Sequence, residues 1–289
     1  MNDDNIIDGR AVAAEVKERV KRDVAEWIEG GGDQPGLATI LVGDDPASQV
    51  YVRNKHKATE AAGMRSFHHQ LAADTSQDDV AELIQTLNED DDVHGILLQL
   101  PAPPQIDDDA MTALIDPLKD VDGLTPINAG LLVQGKPGMV PATPLGIMEL
   151  LRAAGAQLEG ANAVVVGRSQ LVGKPMHSLL LAQNATVTHC HSRTRDLAGE
   201  CLRADVLVAA VGVPKLIDAS MVKEGAIVID VGINRTDDGL VGDVDFEGVK
   251  PKAGAITPVP GGVGQMTIAM LLHNTLKAAK LQAEVRARS

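Results

Sequence analysis

The sequence is poor in aromatic residues, in cysteine and in positive charge. Only 1% of its 289 residues are aromatic, and Tyr51 is the single tyrosine. The two cysteines, Cys190 and Cys201, are too few for a disulfide framework, so we expect reduced thiols. The net charge of −14 argues against nucleic acid or an anionic membrane as a partner, because both bind cationic patches.

Long apolar stretches are also missing. No run approaches the roughly 20 apolar residues that a membrane-spanning helix needs. The N-terminus is acidic and does not resemble a basic-then-apolar leader, so we expect a cytoplasmic protein. Hydrophobic residues make up 44% of the chain, and its length allows two domains with a sizeable core.

Helical and extended patterns alternate along the chain. Valines at positions 12, 16, 20 and 24 predict a first helix from Asp8 to about Glu29, and a last helix is predicted from Met266 to about Ala283. Short apolar segments predict strands at 37–42, 66–71, 93–100, 161–166, 186–189, 206–211 and 226–231. This alternation predicts the α/β class, with parallel-rich sheets flanked by helices.

A domain boundary is predicted at Pro141-Ala-Thr-Pro144. Thr143 is the expected N-cap of a new helix, with Pro144 at its first position. After this point the strand and helix pattern starts again.

The helix expected after Asp45 and Pro46 carries a candidate catalytic pair. Tyr51 and Lys55 are four residues apart, so their side chains share one helix face. A phenol beside an amine, at the end of a strand-loop-helix unit, suits proton transfer. The same stretch alone also fits a surface lysine and a half-buried tyrosine.

The loop after the strand at 161–166 is a candidate dinucleotide site. Gly167 and Gly173 are six residues apart, with Ser169 where the common fingerprint has its second glycine. This variant alone also fits an ordinary loop of an α/β protein. The next strand ends in His191-Ser192-Arg193 instead of a carboxylate. Cations there, with Arg168 nearby, suit a 2′-phosphate, so the pattern favours NADP over NAD.

Other common chemistries lack a pattern. His189 and His191 share a strand face, but no Cys-x-x-Cys or His-Glu-x-x-His motif accompanies them, so we expect no metal site. Ser169 lacks the Gly-x-Ser-x-Gly context of a nucleophile.

Several motifs occur together in a fixed order. They are Tyr51-Val-Arg-Asn-Lys55, Gly95-Ile-Leu-Leu-Gln-Leu-Pro101, Lys119-Asp-Val-Asp-Gly123, Gly167-Arg-Ser169 with Val172-Gly173, and Pro258-Val-Pro-Gly-Gly-Val-Gly264. The set closely resembles the bifunctional methylenetetrahydrofolate dehydrogenase / methenyltetrahydrofolate cyclohydrolase family, and the resemblance runs from Ile7 to the final helix. It implies two α/β domains around a cleft, the second Rossmann-like and NADP-binding, with folate across the cleft, and a homodimer. We expect a catalytic folate-binding domain at 1–142 plus 266–289 and an NADP-binding domain at 143–265.

The resemblance also implies roles for individual residues. Lys55 matches the catalytic lysine, Tyr51 lies beside the substrate, Gln99 contacts the lysine, and Asp122 holds the pterin ring. The other expected substrate-binding residues are Leu100, Pro260, Gly261, Gly262, Val263 and Gly264. The NADP-binding residues expected from pattern and resemblance together are Gly167, Arg168, Ser169, Gly173, Ser192, Arg193 and Ile233.

The implied reaction oxidises 5,10-methylenetetrahydrofolate with NADP and then hydrolyses the methenyl product to 10-formyltetrahydrofolate. Hydrolysis needs water activation, which a lysine performs if burial pulls its pKa toward neutrality, and a neutral Gln99 fits that requirement. Three rival hypotheses stay open: a dehydrogenase without cyclohydrolase activity, a non-catalytic dinucleotide-sensing protein and, by fold analogy, a shikimate-type dehydrogenase.

The sequence departs from the family pattern at two places. Ala102-Pro103 stands where Leu-Pro is frequent, and Gln265 stands where a proline is frequent. The second departure is expected to loosen the folate-side loop. Neither position has an assigned chemical role.

Overall fold

A computed structural model describes residues 5–237 and 239–287. The chain divides into two compact units. The first unit comprises Glu15–Ala142 and Ile268–Ser289, and the second comprises Met1–Ala14 and Thr143–Thr267. In the described part of the chain, every helix is too short or too polar to span a lipid bilayer.

The helices and strands alternate as the sequence predicts. The α-helices are α1 (Gly9–Glu29), α2 (Pro46–Ala61), α3 (Gln77–Glu89), α4 (Asp108–Ala113), α5 (Pro126–Val133), α6 (Ala142–Ala153), α7 (Gly173–Ala182), α8 (Leu197–Cys201), α9 (Phe246–Val249) and α10 (Met266–Arg286). The strands are β1 (Gly36–Val42), β2 (Arg65–Leu71), β3 (Gly95–Leu98), β4 (Asn162–Val166), β5 (Thr186–Cys190), β6 (Val206–Ala209), β7 (Ile227–Asp230), β8 (Asn234–Thr236), β9 (Gly239–Val241) and β10 (Ala255–Ile256).

The first unit contains a parallel sheet in the order β2-β1-β3. Every residue of the central strand β1 is buried. Val80, Ile84 and Leu87, on the apolar face of α3, belong to the same buried cluster as β1 and β3. Because α2 directly follows β1, its first turns begin at the carboxyl end of that strand.

The second unit contains a parallel five-stranded sheet in the order β10-β7-β6-β4-β5. The chain runs from β4 outward to the edge strand β5 and then returns to β6 on the other side of β4. Ligands of open α/β sheets bind at such a reversal, outside the carboxyl ends of the strands. The loops at Gly167, Gly212 and Gly232 follow β4, β6 and β7 at that edge.

The helix expected after Asp45 and Pro46 is α2. The carboxylate of Asp45 accepts a hydrogen bond of 2.8 Å from the Ser48 amide, and Pro46 occupies the first turn. Past the end of the helix, Gly63 has a φ of 81°, the left-handed conformation that glycine adopts without strain.

The predicted start of α6 was wrong by two residues. The helix begins at Ala142, so Thr143 lies in its first turn, with its hydroxyl 3.0 Å from that of Thr267. The third strand is also shorter than predicted, because the chain leaves the sheet after Leu98. The sequence analysis did not predict α5 or the antiparallel β8–β9 hairpin.

Packing of the second unit gives a first stability prediction. Leu207 on β6 is fully buried, whereas Leu240 on β9 is 41% exposed. We expect Leu207→Ala to lower the free energy of unfolding by about 2–5 kcal/mol, through lost apolar burial and a residual cavity. The matched Leu240→Ala variant should change it by about 0.5 kcal/mol or less. Urea unfolding checks both, and equal losses would contradict the assigned core.

Candidate active site

The first unit brings Lys55 and Gln99 into direct contact. Lys55 lies on α2, and its Nζ donates a 2.9 Å hydrogen bond to Oε1 of Gln99, which follows β3. The amide nitrogen of Gln99 donates to the Leu100 carbonyl at 2.9 Å. Because that nitrogen is engaged, the oxygen of the amide faces the amine. The main-chain N–H of Gln99 donates to Ile40 of β1, which fixes the residue to the sheet.

The amine of Lys55 lies in a desolvated setting. Burial lowers the pKa of Lys55, and the negative charge of Asp122 opposes this effect in part. The residue as a whole is half-buried. A neutral amide partner accepts a hydrogen bond without the strong stabilisation of the ammonium that a carboxylate would add. The neutral amine is therefore favoured relative to a lysine in water.

Asp122 is the second ionisable group of this cluster. Burial raises the pKa of Asp122, the charge of Lys55 lowers it, and the charge of Asp120 raises it further. The structure therefore places an amine and a carboxyl close enough to influence each other, and burial shifts both toward their uncharged forms.

Asp120, two residues earlier, has a structural role. It is 1% exposed, and its carboxylate accepts hydrogen bonds from the Thr125 amide at 2.8 Å and the Leu124 amide at 3.1 Å. The side-chain amide of Asn128 donates to it at 2.8 Å. These three bonds join the loop to the first turn of α5.

The neighbours of Asp122 in the motif also build the loop. Lys119 donates to the carbonyls of Leu87 and Asp90, at the end of α3, at 3.0 Å and 2.7 Å. Gly123 has a φ of 64°, and a Cβ there would lie 2.7 Å from the nitrogen of Pro141. Only glycine fits such a turn. The motif thus holds Asp122 between anchored neighbours.

The other expected substrate residues occupy both units. Tyr51 lies one helical turn before Lys55 on α2 and is 50% exposed, and Leu100 is half-buried. In the second unit, the loop from Pro258 to Gly264 contains a cis Val259-Pro260 peptide and a buried Val263. Gln265, at the departure from the family pattern, lies in a short 3₁₀ turn directly before α10.

A pocket of about 320 Å³ lies at the carboxyl edge of the sheet in the second unit. Its lining includes Gly167, Arg168, Ser169, His191 and Ser192. Gly167 has a φ of 123°, and a Cβ there would collide with the carbonyl oxygen of Ala210. A glycine that admits close backbone approach, a guanidinium and a hydroxyl fit a phosphorylated dinucleotide.

Two expected cofactor residues take positions that the sequence did not predict. The hydroxyl of Ser169 accepts from the amides of Val172 and Gly173, at 3.1 Å and 3.4 Å, so it occupies donors at the start of α7. Arg193 is exposed and lies outside the pocket lining, and its amide donates to Nδ1 of His191. Arg168 and Ser192 line the pocket, whereas Arg193 does not.

A second pocket, lined by Ile233, Gly264 and Thr267, adjoins the ends of β6 and β7. The sequence analysis missed its buried residue Asp243, whose carboxylate accepts from the Val211 and Gly212 amides at 2.6 Å and 3.0 Å.

The sequence analysis also missed Asp230, whose carboxylate accepts from the Gly232 and Asp243 amides. Burial raises the pKa of Asp230 to about 6. Asp230 and Asp243 each stand at the end of a short segment that is apolar or rich in glycine. That position was the signal in the sequence that could have identified them.

Potential metal ligands are dispersed in the described part of the chain. No three His, Cys, Asp or Glu side chains are gathered there as metal ligands would be. His189, considered in the sequence as a ligand, has its Nε2 at 2.6 Å from the Gly167 carbonyl oxygen.

The first unit holds a desolvated lysine, and the second holds a glycine loop at the edge of its sheet. Together these features define a two-domain α/β enzyme that uses a dinucleotide. Residues 7–122 match the tetrahydrofolate dehydrogenase/cyclohydrolase catalytic domain, and residues 141–283 match the NAD(P)-binding domain of the same name. The chain belongs to the tetrahydrofolate dehydrogenase/cyclohydrolase family.

Individual relatives agree with this assignment. The bifunctional protein FolD 2 of Frankia alni is 59% identical, over 97% of each chain. The crystal structure of the bifunctional FolD enzyme of Campylobacter jejuni has a TM-score of 0.93 and 50% identity, covering 96% of this chain and 99% of that one. A Trypanosoma brucei FolD structure, complexed with NADP and an inhibitor, has a TM-score of 0.90 and 41% identity, covering 96% and 98%.

These comparisons confirm several predictions made from the sequence. The family, the two α/β domains, the bifunctional dehydrogenase and cyclohydrolase activity and the cofactor NADP are all confirmed. The roles of individual site residues stay predictions.

The contrast between the two aspartates of the loop gives a second stability prediction. We expect Asp120→Asn to lower the free energy of unfolding by about 2–3 kcal/mol, because the amide cannot accept all three hydrogen bonds. The control is Asp107→Asn. Asp107 caps α4 by accepting from the Ala110 amide, and asparagine caps equally well, so a change of about 0.5 kcal/mol or less is expected. Urea unfolding measures both, and a stable Asp120→Asn variant would refute the structural role.

Proposed function

We propose that Lys55, Gln99, Asp122 and Tyr51 carry the chemistry on 5,10-methylenetetrahydrofolate and its methenyl product. The observation that carries the proposal is the hydrogen bond between a desolvated lysine amine and a neutral glutamine. A lysine kept for solubility or for a salt bridge would gain nothing from losing its hydration.

Lys55 acts as the acid–base group of the cyclohydrolase step. In its neutral form it accepts a proton from the water that attacks the cationic methenyl carbon, and it then delivers a proton to the leaving nitrogen. Gln99 receives one N–H of the amine, so the nitrogen lone pair stays directed away from the amide. Lys55 also positions the one-carbon unit for oxidation, a step that depends chiefly on placement of the donor carbon.

Asp122 and Tyr51 recognise the folate ring system. The pterin edge offers N–H and amino donors, and a fixed carboxyl accepts them. Tyr51, half-exposed one turn from the lysine, provides a flat face on which the ligand stacks. Leu100 and the loop of Pro260, Gly261, Gly262, Val263 and Gly264 supply further folate contacts.

The second unit holds the cofactor. Arg168 and Ser192 bind the 2′-phosphate, and Arg193 adds positive charge nearby. Gly167, Ser169 and Gly173 shape the loop that would receive the rest of the dinucleotide, and Ile233 would add a further contact to the cofactor. NADP, when bound, accepts the hydride that the methylene group releases.

Three wider assignments complete the proposal. Residues 1–142 plus 266–289 form the folate-binding catalytic domain, and residues 143–265 form the NADP-binding domain. The active protein is a cytoplasmic homodimer that binds neither nucleic acid nor membrane. The match of residues 7–122 to the catalytic family model supports the first assignment, and the match beginning at residue 141 to the NAD(P)-binding model supports the boundary near 143. The grouping of Ile268–Ser289 with Glu15–Ala142 in one compact unit supports placing the final helix with the catalytic domain.

Absorbance spectroscopy tests the function directly. With methylenetetrahydrofolate, we expect reduction of NADP at a higher kcat/KM than reduction of NAD. With methenyltetrahydrofolate and no dinucleotide, we expect hydrolysis above the spontaneous rate. Oxidation without hydrolysis would indicate a monofunctional dehydrogenase, and tight NADP binding without either reaction would indicate a sensing protein.

Removing the lysine amine should abolish hydrolysis. For Lys55→Ala we expect cyclohydrolase activity to fall by about 10²–10⁴-fold, as for loss of a general acid–base group, and most dehydrogenase activity to be lost with it. Lys57→Ala is the matched control, because Lys57 is exposed two residues further along the same helix. Initial rates at saturating substrate measure both. A Lys55→Ala enzyme with the parent hydrolysis rate would refute the role.

A charged neighbour should shift the pH dependence of the lysine. In Gln99→Glu a carboxylate faces the amine and raises the pKa of Lys55, so fewer molecules carry the neutral amine at pH 7. We expect the acid limb of the cyclohydrolase pH profile to move to higher pH, with a loss of about tenfold at pH 7 that recovers as the pH rises. Gln157→Glu adds the same charge in an exposed loop and should leave the profile unchanged. An unshifted limb in Gln99→Glu would exclude the lysine as the titrating base.

A further inference from the structure

Two histidines that the proposed chemistry does not use lie beside the dinucleotide loop. His189 is on β5 and His177 is on α7, and their rings stack with centroids 5.7 Å apart and planes 19° apart. Nε2 of His189 lies 2.6 Å from the carbonyl oxygen of Gly167. A carbonyl oxygen only accepts hydrogen bonds, so Nε2 of His189 carries the hydrogen and donates it.

Consecutive residues of β5 hold both main-chain groups of Gly167. Its N–H donates to the Cys190 carbonyl at 3.0 Å, and its own carbonyl accepts from His189. The Cα of Gly167 lies so close to the carbonyl of Ala210 that a Cβ would not fit between them. These contacts fix the orientation of the peptide that joins Gly167 to Arg168, which lies in the pocket lining.

His177 links this arrangement to the helix that follows the loop. Helix α7 begins at Gly173, which packs directly against the same Gly167 carbonyl. Nδ1 of His177 is buried and has no hydrogen-bond partner among the described residues. Burial and the neighbouring His189 both lower the pKa of His177, so the ring that stacks on His189 stays neutral more readily than a free histidine.

We propose that His189 is a positioning residue for NADP, whose Nε2–H holds the Gly167 carbonyl and thereby directs Arg168 toward the 2′-phosphate. The inference rests on the proposed role of the loop from Gly167 to Gly173 in binding NADP. His189 does not touch the reacting atoms. It therefore acts on cofactor affinity and not on the chemical step.

Substitution by phenylalanine separates the hydrogen bond from the stacking. His189→Phe keeps an aromatic ring against His177 and removes the donor, whereas the side-chain amide of His189→Gln can still donate. We expect Kd for NADP and for 2′,5′-ADP, measured by calorimetry, to rise about 3–10-fold in His189→Phe, which is the loss of one hydrogen bond. His189→Gln should recover most of the affinity. The control His68→Phe makes the same exchange at an exposed histidine of the first unit and should bind like the parent.

The kinetic split distinguishes positioning from general loss of structure. In His189→Phe we expect KM for NADP to rise in parallel with Kd, while kcat at saturating NADP stays within about twofold of the parent. Unchanged affinity in His189→Phe, or a fall in kcat with unchanged KM, would overturn the proposal. Failure of His189→Gln to recover affinity would assign the effect to packing and overturn it as well.

A measurement on the parent protein keeps the test decisive if His189→Phe does not fold. Nitrogen-15 NMR of the histidine rings should show the Nε2–H tautomer for His189, with a shift when 2′,5′-ADP is added. The Nδ1–H tautomer, or no response to bound 2′,5′-ADP, would overturn the inference. If the parent chain binds neither NADP nor 2′,5′-ADP, the proposed cofactor role of the loop fails, and the tautomer still decides whether the hydrogen bond exists.

Discussion

The first unit depends on one constraint: the amine of Lys55 must be withdrawn from water without gaining a full counter-charge. Burial of an ammonium is unfavourable, so the lysine responds by a lowered pKa instead of by recruiting a carboxylate contact. Gln99 satisfies one N–H while adding no charge. Its main-chain bond to Ile40 and its side-chain bond to Leu100 hold the acceptor in place. Helix α2 and strand β3 therefore meet in a geometry that the sheet fixes.

The neighbouring loop contains two aspartates, Asp120 and Asp122, with different roles. Backbone hydrogen-bond donors give one of them a structural role and leave the other for the chemistry. Asp120 accepts from two main-chain amides and one side-chain amide, and these bonds tie both oxygens of its carboxylate to the loop and to α5. Asp122 lies two residues further along the same loop, directly before Gly123, and burial raises its pKa. Proximity in sequence therefore says little about role. The groups that surround each carboxyl decide it.

The sequence predicted what depends on local signals and missed what depends on distant partners. The cap at Asp45, the helix it begins and the shared face of Tyr51 and Lys55 follow from neighbouring residues, and all were predictable. Desolvation of Lys55 was expected only because the family resemblance gave the lysine a role, since residues far along the chain create the burial. Asp243 accepts from amides 31 and 32 residues earlier, and no periodic pattern marks such a contact. Short elements such as α5 escaped because eight residues rich in turn formers carry little periodicity.

Under the proposed roles, the coupling between Lys55 and Asp122 suits a site that meets both neutral and cationic ligands. A ring that donates hydrogen bonds to Asp122 stabilises its ionised form, and that charge raises the pKa of Lys55. A cationic methenyl group near the amine has the opposite effect and favours the neutral lysine. The ammonium therefore loses its proton more readily when the ligand carries positive charge, and more molecules then hold the neutral amine that accepts a proton from water. A permanent carboxylate in place of Gln99 would resist this change, which explains why a neutral partner serves a lysine with two consecutive tasks.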